Sequence, residues 1–310
     1  MGGNCCFISD VGFIDFAGSA VVHMLGGVGA ITGAIIIGPR LGRFDEDAPK
    51  PKAHNWVFSA LGAFILWFGW YGFNSGSTFG ASGALSVLGN KISVNTTLAG
   101  SSACLVGLIL NWILTGFANL EYTLNCFLIG LVAITAPCAV VDPWAAIVIG
   151  AIAALLYFAG DKLTLLLKID DPLNAGTVHF LGGLWGALSV GVFATKEAVT
   201  FVYQRDGLNY GFIMGGGGAQ IAVQIVGCIV IMFWSALFSS VIWLSLRFAG
   251  ILRVSESSER SGLDIYLHGT HAYADLAVMS KAIAQILGDS PDKRATISHS
   301  TKESEPREPL

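Results

Sequence analysis

The chain has 310 residues, 54% of them hydrophobic and only 12% charged, with a formal net charge of -4. A soluble domain carries about 25% charged residues, so a single oversized aqueous core is excluded and burial in lipid accounts for the apolar surplus. The mildly acidic balance excludes an electrostatic nucleic-acid binder, and the six cysteines show no metal-ligand spacing.

In chain order, Met1-Gly2-Gly3-Asn4-Cys5-Cys6 has the outline of an acylation signal, but position six is Cys rather than Ser or Thr. Residues 1–11 are expected to form a short extracellular N-terminus. Seven apolar stretches follow, at about 12–37, 55–77, 93–115, 123–141, 143–167, 176–194 and 211–249. Each approaches the ~20 residues that cross a ~30 Å hydrocarbon layer. Gly38-Pro39 closes the first, and Asp142-Pro143 reads as an N-cap followed by proline at the first helical position. One set of loops carries Arg40, Arg43, Lys50, Lys52, Lys162, Lys168, Arg247 and Arg253, the other only Lys91, Lys196 and Arg205. The richer side is expected in the cytoplasm, with the C-terminus. The division expected is a transmembrane domain over 12–250, a cytosolic segment over 251–276 and a disordered polar tail over 277–310.

A repeat lies inside the apolar region. Asp15 precedes His23 by eight residues and Asp171 precedes His179 by eight; both histidines follow a valine and lead into Leu-Gly-Gly, at Leu25-Gly26-Gly27 and Leu181-Gly182-Gly183. On the seven-span count the copies sit five helices apart and cross in opposite directions, as in an inverted-topology repeat. Eight residues of helix rise about 12 Å, so an aspartate at a span's mouth places its histidine near the midplane. If the unit is five helices, the first span closes a sister unit and four helices are expected upstream of Met1.

Ionisable groups at mid-membrane depth are costly and mark conduction paths or proton relays. Desolvation favours the neutral imidazole, and two neutral rings can share a hydrogen bond while still offering polar atoms to a small guest. Two structural histidines bonding neighbouring helices would be the plainer outcome for either alone; their pairing by the repeat favours a pore. Asp15 and Asp171 could bind a cation or cap helix ends, and capping is the expectation. The end of the second span, Trp67-Phe68-Gly69-Trp70-Tyr71-Gly72-Phe73-Asn74-Ser75-Gly76-Ser77, reads as an interfacial aromatic belt or as a cation–π seat for a small ammonium ion, with Ser77 accepting its hydrogen bonds.

Together these residues resemble the ammonium transporter family, in its plant and algal branch. The resemblance is carried by Asp15-Phe16-Ala17-Gly18-Ser19 with Val21-Val22-His23, by Gly38-Pro39-Arg40-Leu41-Gly42-Arg43-Phe44, and by Leu66 through Asn74. It continues through Asn95-Thr96-Thr97-Leu98-Ala99-Gly100, Val141 through Ile147, Asp170-Asp171-Pro172 and Met214 through Gly218. What it implies is an all-α integral membrane bundle with inverted five-helix repeats, seven transmembrane helices of an eleven-helix fold being present here, and no enzyme, cofactor or metal. It further implies a homotrimer, or a hetero-oligomer with related subunits, in the lipid bilayer of the plasma membrane. By the family pattern His23 and His179 are twin pore histidines, Phe73 belongs to a phenylalanine gate, Ser77 lines the outer recruitment site, Trp70 is grouped with the gate and recruitment residues, and Asp15 and Asp171 give structural support. The family's remaining gate phenylalanine and its recruitment-site tryptophan are expected on the four upstream helices. Ammonium would be recruited, deprotonated and conducted as ammonia.

Departures accompany the likeness. Phe180 follows His179 where the family usually has Gly, and Asn174 stands where an acidic residue is common. Gly262, Asp264 and His268-Gly269 resemble a cytosolic regulatory tail, but Tyr266 replaces a phosphorylated threonine and Thr270 is a weak substitute. The alternative function is a non-conducting truncated subunit that regulates a full-length transporter by mixed oligomerisation. A generic ion-coupled carrier is weakened by the lack of midplane charge other than histidine.

Overall fold

The computed structural model describes residues 12–47 and 55–270. Expectations for the N-terminus 1–11, its Cys5 and Cys6, Lys50 and Lys52, the end of the cytosolic segment beyond Thr270 and the tail 277–310 lie outside the described residues. Two compact units divide between Arg253 and Val254.

In the first unit, α1 runs Ser19–Ile37 and opens with a π-helical turn, Ser19–Met24. It is followed by α2 (Trp56–Gly76), α3 (Gly83–Thr115), α4 (Leu120–Ile134), α5 (Pro143–Leu166), α6 (Ala175–Phe193), the short α7 (Lys196–Tyr203) and α8 (Ala219–Phe248). Local chemistry sets several of these ends. The Asn55 and Asn119 side chains accept the N–H groups of Phe58 and Tyr122 at the starts of α2 and α4. Gly38 ends α1 at φ 81°, a backbone region that L side chains rarely adopt. Asp142 occupies the N-cap of α5 with Pro143 after it, but its carboxylate makes no cap bond and lies 3.5 Å from the Lys91 ammonium instead.

The expectation of seven transmembrane helices is corrected. Among the described residues six helices are long and apolar enough to cross a membrane: α1, α2, α3, α5, α6 and α8. The stretch expected to span over 123–141 is α4, only 15 residues long. At 1.5 Å per residue it covers about 22 Å, short of the ~30 Å hydrocarbon layer. Pro137 follows, without an amide hydrogen, and the chain turns through residues 135–140. The apolar run is nevertheless real. Ile129 and Leu131 to Ile134 have no exposed surface, because α4 is the centre of a protein core among α3, α5 and α6. Composition cannot distinguish a helix buried in protein from one bathed in lipid. Helix α3 departs the other way, beginning ten residues before the expected 93 because its first turns carry Ser86, Asn90 and Lys91.

A second, smaller apolar cluster joins Ala20, Met24, Ala187, Cys228 and Ile231, and so ties α1, α6 and α8 together. The second unit, from Val254, contains the short helices α9 (Glu256–Ser261) and α10 (Leu263–His268). Gly262 between them has φ 83°, Asp264 lies in the first turn of α10, and Tyr266 is 62% exposed, as Thr270 is exposed beyond it.

Candidate functional site

Helices α1 and α6 pack face to face, and their contacts run in opposite order. Gly27 lies against the Phe180 amide, Gly183 against the Ser19 carbonyl and Met24 amide, and Gly176 against Ile31. Residue numbers rise on one helix as they fall on the other, so the two copies of the repeat run antiparallel. A Cβ on Gly27 or Gly183 would collide with backbone, which is why the Leu-Gly-Gly element appears in both copies.

This approach brings the two histidines together. Their Nδ1 atoms are 3.2 Å apart, and the rings stack with centroids 5.2 Å apart and planes 16° from parallel. Two Nδ1 atoms can share only one proton, so the tautomers must be complementary: one ring carries Nδ1–H, the other Nε2–H. The pair therefore presents one Nε2 donor and one Nε2 acceptor. His23 is 9% exposed, and its Nε2 is buried without a hydrogen-bond partner among the described residues. His179 is half-buried.

The aromatic end of α2 closes one side of the pair. Trp70 stacks on His23 at 5.1 Å and 13°, and Phe73 lies 5.6 Å from the same ring at 40°. Trp70 is 7% exposed and donates its indole N–H to the Thr135 hydroxyl at 3.0 Å. It is thus placed beside the histidine rather than on an open surface. Ser77 lies one turn beyond Phe73 and donates its hydroxyl to the Phe73 carbonyl at 2.8 Å. It lines a cavity of about 480 Å³ together with Asp15, Phe13, Phe16, Val21 and Tyr203.

Both aspartates bond the first turn of their own helix. Asp15 Oδ2 accepts the amides of Ala20 (3.0 Å) and Val21 (2.9 Å). Asp171 accepts those of Ala175 (3.0 Å) and Thr177 (3.2 Å). Asn174, at the α6 N-cap with φ 52°, donates to the Tyr157 hydroxyl at 2.8 Å. Phe180 packs toward the cluster around Ala20, Met24 and Cys228.

Residues that sequence reasoning gave no role complete the site. Asp170 is 6% exposed and receives Arg40 three ways: through Nε at 2.7 Å, Nη2 at 2.9 Å and the backbone N–H at 2.9 Å. Arg43 Nε adds a contact at 3.3 Å. Burial pushes the Asp170 carboxyl up, but the Arg40 bonds and both positive charges outweigh it and hold the group below its ordinary range. This latch ties the end of α1 to the start of α6. Gln220 and Gln224, one turn apart on α8, are fully buried. Two amides at i and i+4 in an apolar helix were the available signal for them.

The sequence family described as Ammonium Transporter Family matches residues 3–273. Ammonium transporter 1 member 2 of Oryza sativa subsp. japonica is 43% identical over 275 residues, covering 85% of this chain and 55% of that protein. Ammonium transporter 3 of Dictyostelium discoideum is 36% identical, covering 86% and 62%. Among solved structures, a Sensor Amt Protein aligns with TM-score 0.76 and 34% identity, over 86% of this chain and 62% of that one. The crystal structure of Candida albicans Mep2 aligns with TM-score 0.74 and 28% identity, over 83% and 56%. The chain thus spans little more than half the length of most of the relatives it matches.

Proposed function

The chain belongs to the ammonium transporter family and is a multi-pass membrane protein, and from that premise we propose that it contributes the His23–His179 wall of an ammonium-conducting pore. The observation that carries this reading is the shared Nδ1 contact inside an apolar wall, with a buried Nε2 left over. A small guest in such a place must replace lost hydration with a few fixed polar atoms. Ammonia, with three N–H donors and one lone pair, matches a site offering one acceptor and one donor. Potassium has no proton to shed and keeps its full dehydration cost in a dry pore.

In this reading ammonium is recruited in the cavity lined by Ser77 and Asp15, with the Phe73 and Trp70 rings between that cavity and the histidines. The proton is left at the mouth, and ammonia passes the imidazoles. Asp15 and Asp171 act as caps that hold the two helix starts. The protein works at the plasma membrane with its C-terminus in the cytoplasm, as a homotrimer or with related subunits. Residues 251–276, with Gly262, Asp264, Tyr266 and Thr270, serve as a regulatory segment.

The test is methylammonium uptake in yeast lacking its own ammonium carriers. His23→Ala combined with His179→Ala should abolish the uptake conferred by the native chain at equal membrane abundance; normal uptake by the double variant rejects the pore assignment. A second reading, of a different class, is a non-conducting subunit that regulates a longer transporter. It predicts no uptake from the native chain alone and altered uptake when a longer relative is co-expressed.

A further inference from the structure

The relative placement of α1 and α6 is fastened at both ends, and the second fastener involves a helix that carries no pore residue. At one end lies the Arg40–Asp170 latch. At the other, the Gln224 side chain of α8 reaches both histidine-bearing segments. Its Oε1 accepts the Ile14 N–H at 2.9 Å, while its Nε2 donates to the Ile14 carbonyl at 2.7 Å and the Ala187 carbonyl at 2.8 Å. The amide orientation is dictated by these partners, since one is a donor and two are acceptors. Gln220 braces it, donating to Gln224 Oε1 at 3.0 Å and to the Gly12 carbonyl at 3.0 Å.

Ile14 precedes Asp15, whose carboxylate sets the π-helical turn that presents His23. Ala187 lies eight residues beyond His179 on α6, about 12 Å of helix rise. The histidine pair therefore sits between two fasteners, and one primary amide spans the gap at the Ile14 end. We propose that Gln224 is a positioning residue, setting the approach of α1 to α6 and hence the hydrogen bond between the imidazoles. A hydrocarbon side chain there would deprive the Ile14 N–H and carbonyl of their partner and remove the bond that joins them to the α6 carbonyl of Ala187. The Ile14 groups would recover partners only by shifting the chain. The functional consequence rests on the pore reading; the geometric claim does not.

The test is solid-state NMR of the 310-residue chain, 15N-labelled at histidine, in lipid bilayers. The native protein should give a through-hydrogen-bond correlation between one protonated and one unprotonated Nδ1. In Gln224→Leu that correlation should fall by about threefold or more, because such bonds weaken steeply beyond ~3.2 Å. Gln224→Glu, protonated in this setting, keeps the acceptor and one donor, should fall less, and covers failure of the leucine variant to fold. Asn95→Leu is the control. Asn95 is equally buried and donates to two carbonyls, Cys138 and Val141, at 2.8 and 3.0 Å, both outside the two histidine helices. Asn95→Leu should keep the correlation. An unchanged correlation in both Gln224 variants overturns the proposal, as does an equal loss in Asn95→Leu or no correlation in the native chain. The signal is read whether or not ammonium flows, so failure here is distinct from failure of the pore reading.

Discussion

The two copies of the repeat share a spacing but not a local structure. In the first, Asp15 bonds amides five and six residues ahead, and the intervening chain winds as a π-helix that presents His23. In the second, Asp171 bonds amides four and six ahead, and α6 is regular from Ala175. The first histidine is enclosed by Trp70 and Phe73 and keeps a buried, unpartnered Nε2; the second is half-buried. The repeat thus conserves the distance from cap to imidazole, while the winding between them sets how each ring is presented. A π turn at a functional position is common because it redirects one side chain without breaking the helix.

The largest effect that would sharpen this contrast is on flux. Each polar partner denied to a dehydrated guest costs ~1–3 kcal/mol. His23→Ala should therefore lower ammonium uptake by about a hundredfold, and His179→Ala by about tenfold, measured as initial rates at matched protein levels. Equal losses would break the asymmetry between the copies.

Next is the latch, which lies beside the start of the second copy and ties it to the far end of α1. Asp170→Asn should lower stability by ~2 kcal/mol, the scale of charged hydrogen bonds, with part of the ion-pair strength screened because Arg40 is 40% exposed. The Asp170 carboxyl sits below its ordinary value in the folded protein. The stability it contributes is therefore complete above the unfolded value of ~3.9 and is lost as pH falls through the lower folded value. Thermal melts in detergent should show this acid-dependent loss in the native chain and not in Asp170→Asn.

Smaller still are the caps. Asp15→Ala should cost about 1–2 kcal/mol, and Asp171→Ala nearer ~1 kcal/mol because the adjacent latch still holds the α6 start. A reversed order in chemical denaturation would show that the latch does not compensate. The smallest effect expected is for Asn174→Gly. Relief of the left-handed backbone at φ 52° offsets loss of the bond to Tyr157, leaving a net change within ~0.5 kcal/mol.

The histidine pairing was legible in the sequence because it rests on two local facts, a fixed aspartate–histidine spacing and small residues where helices meet. The antiparallel crossing is fixed by the contact order of α1 and α6; the offset from which it was expected used a seven-span count that the six long helices correct. The number of spans was not legible: the apolar residues of α4 are buried in protein, and Pro137 ends the helix early. The latch and the glutamine clamp escaped because their partners lie 130 and 210 residues apart in sequence. Asp142 looked like a helix cap by position, yet it faces Lys91, a choice that only tertiary structure makes.

In the proposed function, nitrogen crosses between these helices at the paired imidazoles. The most direct measurement is 15N-ammonium influx into sealed vesicles bearing the chain, with potassium followed alongside. The native protein should admit ammonium without potassium, and the chain with both histidines replaced by alanine should admit no ammonium. Ammonium entry at the native rate in that double variant would contradict passage at the imidazoles.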